Sequence, residues 1–307
     1  MLPCFPAKSF AVPRRLRPGD LIGVISPAGP VSPSDLKPGL DLLAARGYRI
    51  REAPHLYDQN GYLAGDDASR LSDLHNMFRD ESVAAIMCSR GGYGSLRLLD
   101  RIDYDLIRKH PKIMVGYSDI TALLLAVYQQ TGLVVFHGPM VRGLSTSTPA
   151  NMDGLLRILS SQQPLLLEPV EGTPLIPGEA RGILLGGNLS LICHMAGTRF
   201  LPSLEGAILF IEDRGEALYR IDRMLTHLSL SGQLKGLSGL IAGEFMDCGD
   251  PSDIDRLLME AASGLNIPLI ARFPIGHGRN NLTLPIGMPV HLDTRRMTFS
   301  TIGTCVR

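Results

Sequence analysis

The chain has no tryptophan, and aromatic residues make up only 6% of its 307 positions. The side chain most used to stack on sugars or anchor an interface is therefore missing, and those tasks fall to 8 tyrosines and 9 phenylalanines. An excess of charge is also lacking, since 30 lysines and arginines balance 30 aspartates and glutamates. That balance excludes the basic footprint of a nucleic-acid-binding surface. The short cluster Arg14-Arg15-Leu16-Arg17 reads as a solvated lead-in. Cysteines are few: Cys4, Cys88, Cys193, Cys248 and Cys305 are scattered, odd in number and form no Cys-x-x-Cys pair. This argues against a disulfide scaffold and for reduced thiols in a cytoplasmic protein. Met1 to Pro13 lack the continuous apolar stretch of a signal peptide. No apolar run is long enough to span a bilayer, so no membrane partner is expected. The eight histidines show no metal-binding spacing such as H-E-x-x-H, so no catalytic metal is expected. No repeat at solenoid periods is visible.

What is present is a hydrophobic fraction of 45%, ample for a real core. A chain of 307 residues exceeds the usual single-domain size. Apolar runs at Leu21–Ile25, Val83–Cys88 and Ile113–Val115 read as buried strands. Between them lie helical spacings at Ser34–Arg46, with Gly47 as a C-cap, and at Asp67–Phe78, and a short strand at Tyr48–Arg51. Strands alternating with helices in this way predict an α/β fold with a mostly parallel sheet covered on both faces. The pattern loosens between Ser145 and Pro177, where prolines and Ser-Thr pairs predict a linker with one short helix near Met152–Leu159. This divides the chain into an N-terminal domain, 1–144, a linker, 145–177, and a C-terminal domain, 178–307. A second set of apolar runs follows at Gly182–Leu185, Ala207–Ile211, Gly239–Phe245 and Ile267–Ala271. Pro289–Leu292 and Met297–Ser300 read as a terminal hairpin.

Four strand-end segments carry reactive or cradling residues, and open parallel sheets bind ligands beyond the carboxyl ends of their strands. Ser118, in Val115-Gly116-Tyr117-Ser118-Asp119-Ile120-Thr121, stands at a strand-to-helix turn, where α/β hydrolases expose a nucleophile. The same residues also suit a plain helix start, because Ser, Thr and Asp satisfy free amides there. Arg90-Gly91-Gly92-Tyr93-Gly94 permits close backbone approach and can form an anion nest, or can be an ordinary turn. It is neither a G-x-G-x-x-G nor a Walker A loop. Glu212 follows five apolar residues and can orient a histidine, or can pair at the surface with Arg214 or Arg220. His277 lies between Gly276 and Gly278 in an accessible loop. The order Ser118, Glu212, His277 is the Ser…Glu…His order of α/β hydrolases, though triads recur in several orders on unrelated folds.

A longer series of motifs resembles the LD-carboxypeptidase family of serine peptidases, which includes muramoyltetrapeptide carboxypeptidase and the microcin C self-immunity protein. The series comprises Ser26-Pro27-Ala28-Gly29, Arg90 to Gly94, Gly116 to Thr121, His137-Gly138-Pro139-Met140, Gly186-Gly187-Asn188-Leu189, Ile211-Glu212-Asp213 and Gly276-His277-Gly278. It runs in family order over nearly the whole chain. The resemblance implies a doubly wound N-terminal domain carrying the serine, a β-rich α/β C-terminal domain carrying Glu and His, and a site between them. It implies Ser118 as nucleophile, His277 as general base and then acid, Glu212 as the residue orienting His277, and the backbone N–H groups of Gly92 and Asp119 as oxyanion hole. Asn188 is implied to line the cleft. A carboxypeptidase must also hold a terminal carboxylate, for which Arg90, Arg214 and Arg220 are the candidates. The implied substrate is a murein tetrapeptide losing its terminal D-alanine in peptidoglycan recycling, with no cofactor and with a homodimer as the working form. Two other readings stay open. One is a microcin-immunity type of peptidase acting on aminoacyl or peptidyl nucleotides, disfavoured by the missing tryptophan. The other is a non-catalytic binding protein on the same scaffold.

Overall fold

The computed structural model describes residues 10–168 and 170–307. Cys4 and most of the Met1–Pro13 lead segment lie outside the described residues. Five parallel strands open the fold: β1 (Leu21–Ile25), β2 (Arg49–Glu52), β3 (Val83–Cys88), β4 (Ile113–Gly116) and β5 (Val135–His137). Helices α1 (Pro33–Ala45), α2 (Asp67–Arg79), α3 (Tyr104–Lys109) and α4 (Thr121–Thr131) connect them. Local chemistry sets the ends of α1. Ser32 and Asp35 form a reciprocal capping box, Pro33 takes the first turn, and Gly47 follows the helix at φ 87°.

The strands lie side by side as β2-β1-β3-β4-β5, all parallel. In this doubly wound order the crossovers reverse direction at β1 and β3. The loops after those two strands therefore part and leave a crevice at the carboxyl edge. Strands β1, β3, β4 and β5 are buried along their whole length, as a sheet covered on both faces requires.

The rest of the chain adds α5 (Val141–Leu144), α6 (Pro149–Ser160), β6 (Leu166–Leu167), β7 (Thr173–Ile176), β8 (Glu179–Asn188), α7 (Leu189–Met195) and β9 (Ala207–Arg214). Then come α8 (Leu218–Leu230), β10 (Gly239–Met246), α9 (Pro251–Ala262), β11 (Leu269–Ala271), β12 (Leu284–Ile286), β13 (Pro289–Asp293) and β14 (Thr298–Thr301). Eight of these strands form a second sheet, β6-β14-β13-β8-β9-β10-β11-β7, with a parallel centre, β8 to β11, and antiparallel flanks.

Two features depart from a division into two halves and a linker. The 145–177 segment contains α6 and supplies β6 and β7, the two outermost strands of the second sheet. Strand β12, from the C-terminal half, joins the first sheet antiparallel to β5. Helix α4 packs against β4, β5 and β12 on one side and against β8 and α7 on the other. Every residue from Thr121 to Val127 is buried, as expected of a helix with a core on all sides. The two sheets are thus joined through one shared helix, and the carboxyl edges of β4 and β9 come together beside its first turn.

Candidate active site

Strand β4 ends at Gly116, and Ser118 to Ile120 form a single tight helical turn before α4. Ser118 has φ 60°, a left-handed conformation that a non-glycine residue rarely adopts. The turn lifts its side chain off the sheet toward the second half of the chain. Glu212 sits near the end of β9 and is fully buried. His277 hangs from the loop after β11, which is tied down by Gly276 N–H donating to Asn281 Oδ1 at 3.1 Å. A Cβ on Gly276 would come within 2.7 Å of Glu212 Oε2, so only glycine lets this loop pass so close to the carboxylate.

The three side chains form a hydrogen-bonded relay. His277 Nδ1 lies 2.7 Å from Glu212 Oε2, and His277 Nε2 lies 3.1 Å from Ser118 Oγ. With Glu212 ionised, Nδ1 carries the ring proton and Nε2 accepts from the serine hydroxyl. Burial pushes the Glu212 carboxyl above its usual range, and the hydrogen bond and charge of His277 pull it back. The Tyr117 ring packs 5.0 Å from the His277 ring. Behind it His137 is fully buried against Tyr117 and Phe210, and burial, followed by the neighbouring His277, pushes its pKa down to about 3. His137 is therefore a neutral spacer near neutral pH.

The glycine-rich loop closes over the serine. A Cβ on Gly91 would lie 3.0 Å from both Cβ and Oγ of Ser118 and 3.5 Å from the Asp119 amide nitrogen. Gly29, in the loop after β1, donates its N–H to Gly91 O at 3.0 Å, and Ser26 Oγ meets Ser89 Oγ at 2.7 Å, joining the two loops at the crevice. The Asp119 carboxylate accepts from Ser95 N–H at 2.8 Å, so it fastens the end of the glycine-rich loop to the serine turn. Its carboxyl is pushed upward by burial and held back chiefly by the bonds to Ser95.

A cleft of about 560 Å³ opens above Ser118 and His277. Arg90, Arg142, Arg214 and Arg279 line it; among the described residues no aspartate or glutamate does, but Asp35 acts on Arg90 and Arg142 from nearby and the Glu244 carboxylate lies against Gly278. Arg90 donates to Pro30 O at 3.0 Å, and burial, then the proximity of Arg142, lowers its pKa. Arg214 faces Asp247 at 3.6 Å. A larger hollow of about 760 Å³ lies elsewhere, between Gly197–Glu205 and Gly232–Gly236, and holds no serine-histidine pair.

Two expected site residues fall outside this cleft. Arg220 sits on the exposed face of α8, pairs with Glu216 at 3.4 Å and lies over the Tyr219 ring, because the turn after β9 carries α8 away from the serine. Asn188 is buried, caps α7 through Leu191 N–H and donates to Asp213 Oδ1 at 2.9 Å, so its side chain braces the end of β8 and does not line the cleft. Sequence reasoning missed Arg142, Asn151 and Asn281. The first lies two positions beyond the His137-Gly138-Pro139-Met140 motif, a signal that could have found it. The other two sit on separate elements, with no local pattern to mark them.

Comparison with known proteins agrees with this architecture. The model of the LD-carboxypeptidase N-terminal domain matches residues 22–138, and that of the C-terminal domain matches residues 181–292. A Bacillus subtilis protein named "Probable murein peptide carboxypeptidase" is 39% identical over 300 residues, covering 93% of this chain and 92% of its own. The murein tetrapeptide carboxypeptidase of Pseudomonas aeruginosa is 33% identical, covering 90% and 94%. The crystal structure of an MccF-like protein from Bacillus anthracis superposes with a TM-score of 0.90 at 31% identity, covering 96% and 99%. The chain belongs to the LD-carboxypeptidase family.

Proposed function

We propose that the protein is a serine L,D-carboxypeptidase that removes the C-terminal D-alanine from murein tetrapeptides. The observation that carries this reading is the contact of Ser118 with His277 at 3.1 Å, backed by Glu212, on the floor of an arginine-lined cleft. His277 Nε2 takes the hydroxyl proton as Ser118 Oγ attacks the carbonyl carbon of the scissile amide. The N–H groups of Gly92 and Asp119 receive the developing oxyanion, each donor contributing about 3 kcal/mol. The imidazolium is stabilised by Glu212 and gives its proton to the departing amino group of D-alanine. Water then enters, loses a proton to His277 and releases the peptide from the serine ester. Arg90, with its guanidinium beside the Gly91-Gly92 backbone, holds the terminal carboxylate of the leaving residue. The names of the relatives from Bacillus subtilis and Pseudomonas aeruginosa support the substrate class.

The family resemblance further supports action in the cytoplasm, in peptidoglycan recycling, as a homodimer. Light scattering on the purified protein tests the last of these. The competing nucleotide-peptidase reading is supported by the likeness to the MccF-like structure and opposed by the absence of tryptophan. Purified protein is expected to release D-alanine from a murein tetrapeptide, measured by mass spectrometry, and to leave an aminoacyl sulfamoyl adenosine intact. Ser118→Ala should lower kcat by about a thousandfold or more with unchanged circular dichroism. Normal turnover by that variant would overturn the serine mechanism.

A further inference from the structure

One buried side chain touches the immediate support of every member of the relay. His137 ends β5, pairs in register with Gly116 of β4 and Leu284 of β12, and is fully buried. Its ring meets the Tyr117 ring at 5.9 Å and the Phe210 ring at 5.2 Å. Tyr117 immediately precedes Ser118 and packs on His277. Phe210 lies two positions before Glu212 on β9, so the two side chains leave the same face of the strand. The third neighbour is Asn281, whose Oδ1 accepts from Gly276 N–H at 3.1 Å and so fixes the residue before His277. Burial and the charge of His277 keep the His137 ring neutral, and the Asn281 side chain acts on it in the opposite sense, as an oxygen facing a ring N–H does. Neither ring nitrogen of His137 completes a hydrogen bond among the described residues. A buried polar ring left in that state costs stability that a phenylalanine of similar shape would not. His137 does not line the cleft, so it has no part in holding a substrate there.

We infer that His137 is a positioning residue, holding Ser118, Glu212 and His277 in register through Tyr117, Phe210 and Asn281. This rests on the serine relay of the reading above and is independent of which peptide is cleaved. The neutral ring carries one N–H. The acceptor that faces it is the Asn281 oxygen, which has a second lone pair beside the one used by Gly276 N–H. Turned toward that oxygen, the ring N–H keeps the amide from flipping, so that its oxygen and not its NH2 group faces Gly276. The His277 loop then keeps the position in which Nδ1 reaches Glu212 and Nε2 reaches Ser118. Two features of imidazole suit the task. It fits edge-to-face against both Tyr117 and Phe210, and as a neutral group it adds no charge beside the imidazolium that forms at His277. Phenylalanine would fill the same space without the donor.

The test compares wild type with His137→Phe, which keeps the ring contacts, and with His137→Asn and His137→Gln, which set an amide N–H near the place of Nδ1 or Nε2. Hydrogen exchange of the Gly276 amide, followed by NMR on the full chain, should quicken about tenfold in His137→Phe while the β4 amides stay protected, the scale of one lost hydrogen bond. The kcat for D-alanine release should fall about tenfold or more with KM within about twofold of wild type, and thermal stability should stay level or rise. One of the two amide variants should recover both exchange and kcat. A side chain with a packing role alone gives the opposite pattern: stability and kcat fall together, Gly276 exchange follows the rest of the sheet, and neither amide variant rescues. That pattern would overturn the proposal. Should His137→Phe fail to fold, His137→Leu, smaller and equally without a donor, carries the same comparison. If the wild type releases no D-alanine, the carboxypeptidase reading fails by itself, and the labelling rate of Ser118 by a fluorophosphonate replaces kcat. Gly276 exchange unchanged in the donor-less variant overturns the proposal in either case.

Discussion

Ser118 keeps its left-handed backbone because neighbours on every side determine it: the Gly91 backbone over its side chain, His277 at its hydroxyl and α4 directly after it. Strain of this kind costs of order 1–3 kcal/mol and persists where the surroundings over-determine it. A strand followed by Gly-Tyr-Ser-Asp announces the turn in the sequence, but the positive φ depends on packing from residues far along the chain. A different tension is held at Lys112. Its ammonium is buried and donates to the carbonyls of Asp80 and Val83, and burial lowers its pKa to about 8. The unfolded chain, with an ordinary lysine pKa of about 10.4, then binds more protons than the native state between those two values. Stability from this residue therefore rises as pH climbs from about 8 to about 10.4 and is flat below. Urea midpoints of wild type and Lys112→Met, compared at pH 7.5 and pH 10, should show a gain in wild type that the variant lacks. Parallel midpoints would refute it.

Among the elements, the long apolar strands and the capped helices are legible in the sequence itself. β1, β3, β4, β9 and β10 coincide with apolar runs in the sequence, and α1 and α2 with helical spacing and recognisable ends. The edge strands β6 and β7 and the three-residue strands β5 and β12 are not legible there. Each is too short for a period to emerge, and β6, β7 and β12 pair with strands far away in the sequence. β12 even contains Pro285, which local rules assign to turns or edges, and it is indeed an edge. Leu284, facing His137 in register, is completely buried. Leu284→Ala should cost about 2–5 kcal/mol, the usual range for a buried leucine, measured by urea unfolding. A loss below about 1 kcal/mol would mean that β12 contributes little to the first sheet.

At the scale of the whole molecule, no single half owns the candidate site. Ser118 and the glycine-rich loop come from the first sheet, Glu212 and His277 from the second, and α4 lies between. Residue motifs foretell which side chains meet. Which arginines join them depends on how the halves dock, and that is why Arg220, close to Glu212 in sequence, faces elsewhere. Dividing the chain in the exposed loop between Gln162 and Gln163 tests the shared site. Neither fragment should release D-alanine alone, and the mixed fragments should recover activity in the same assay. Activity in either fragment by itself would contradict a shared site. The crossing strand β12 also puts the parts in an order of time. On the ribosome, β5 emerges at residue 137 and its outer partner only at residue 284, after the serine, the glutamate and the histidine have all been made. Until then the first sheet has a bare edge, the kind of surface on which chaperones act and misassembly begins. The last strand to join that sheet both covers β5 and begins seven residues after His277, so completing the scaffold and arming the serine belong to the same late moment of synthesis.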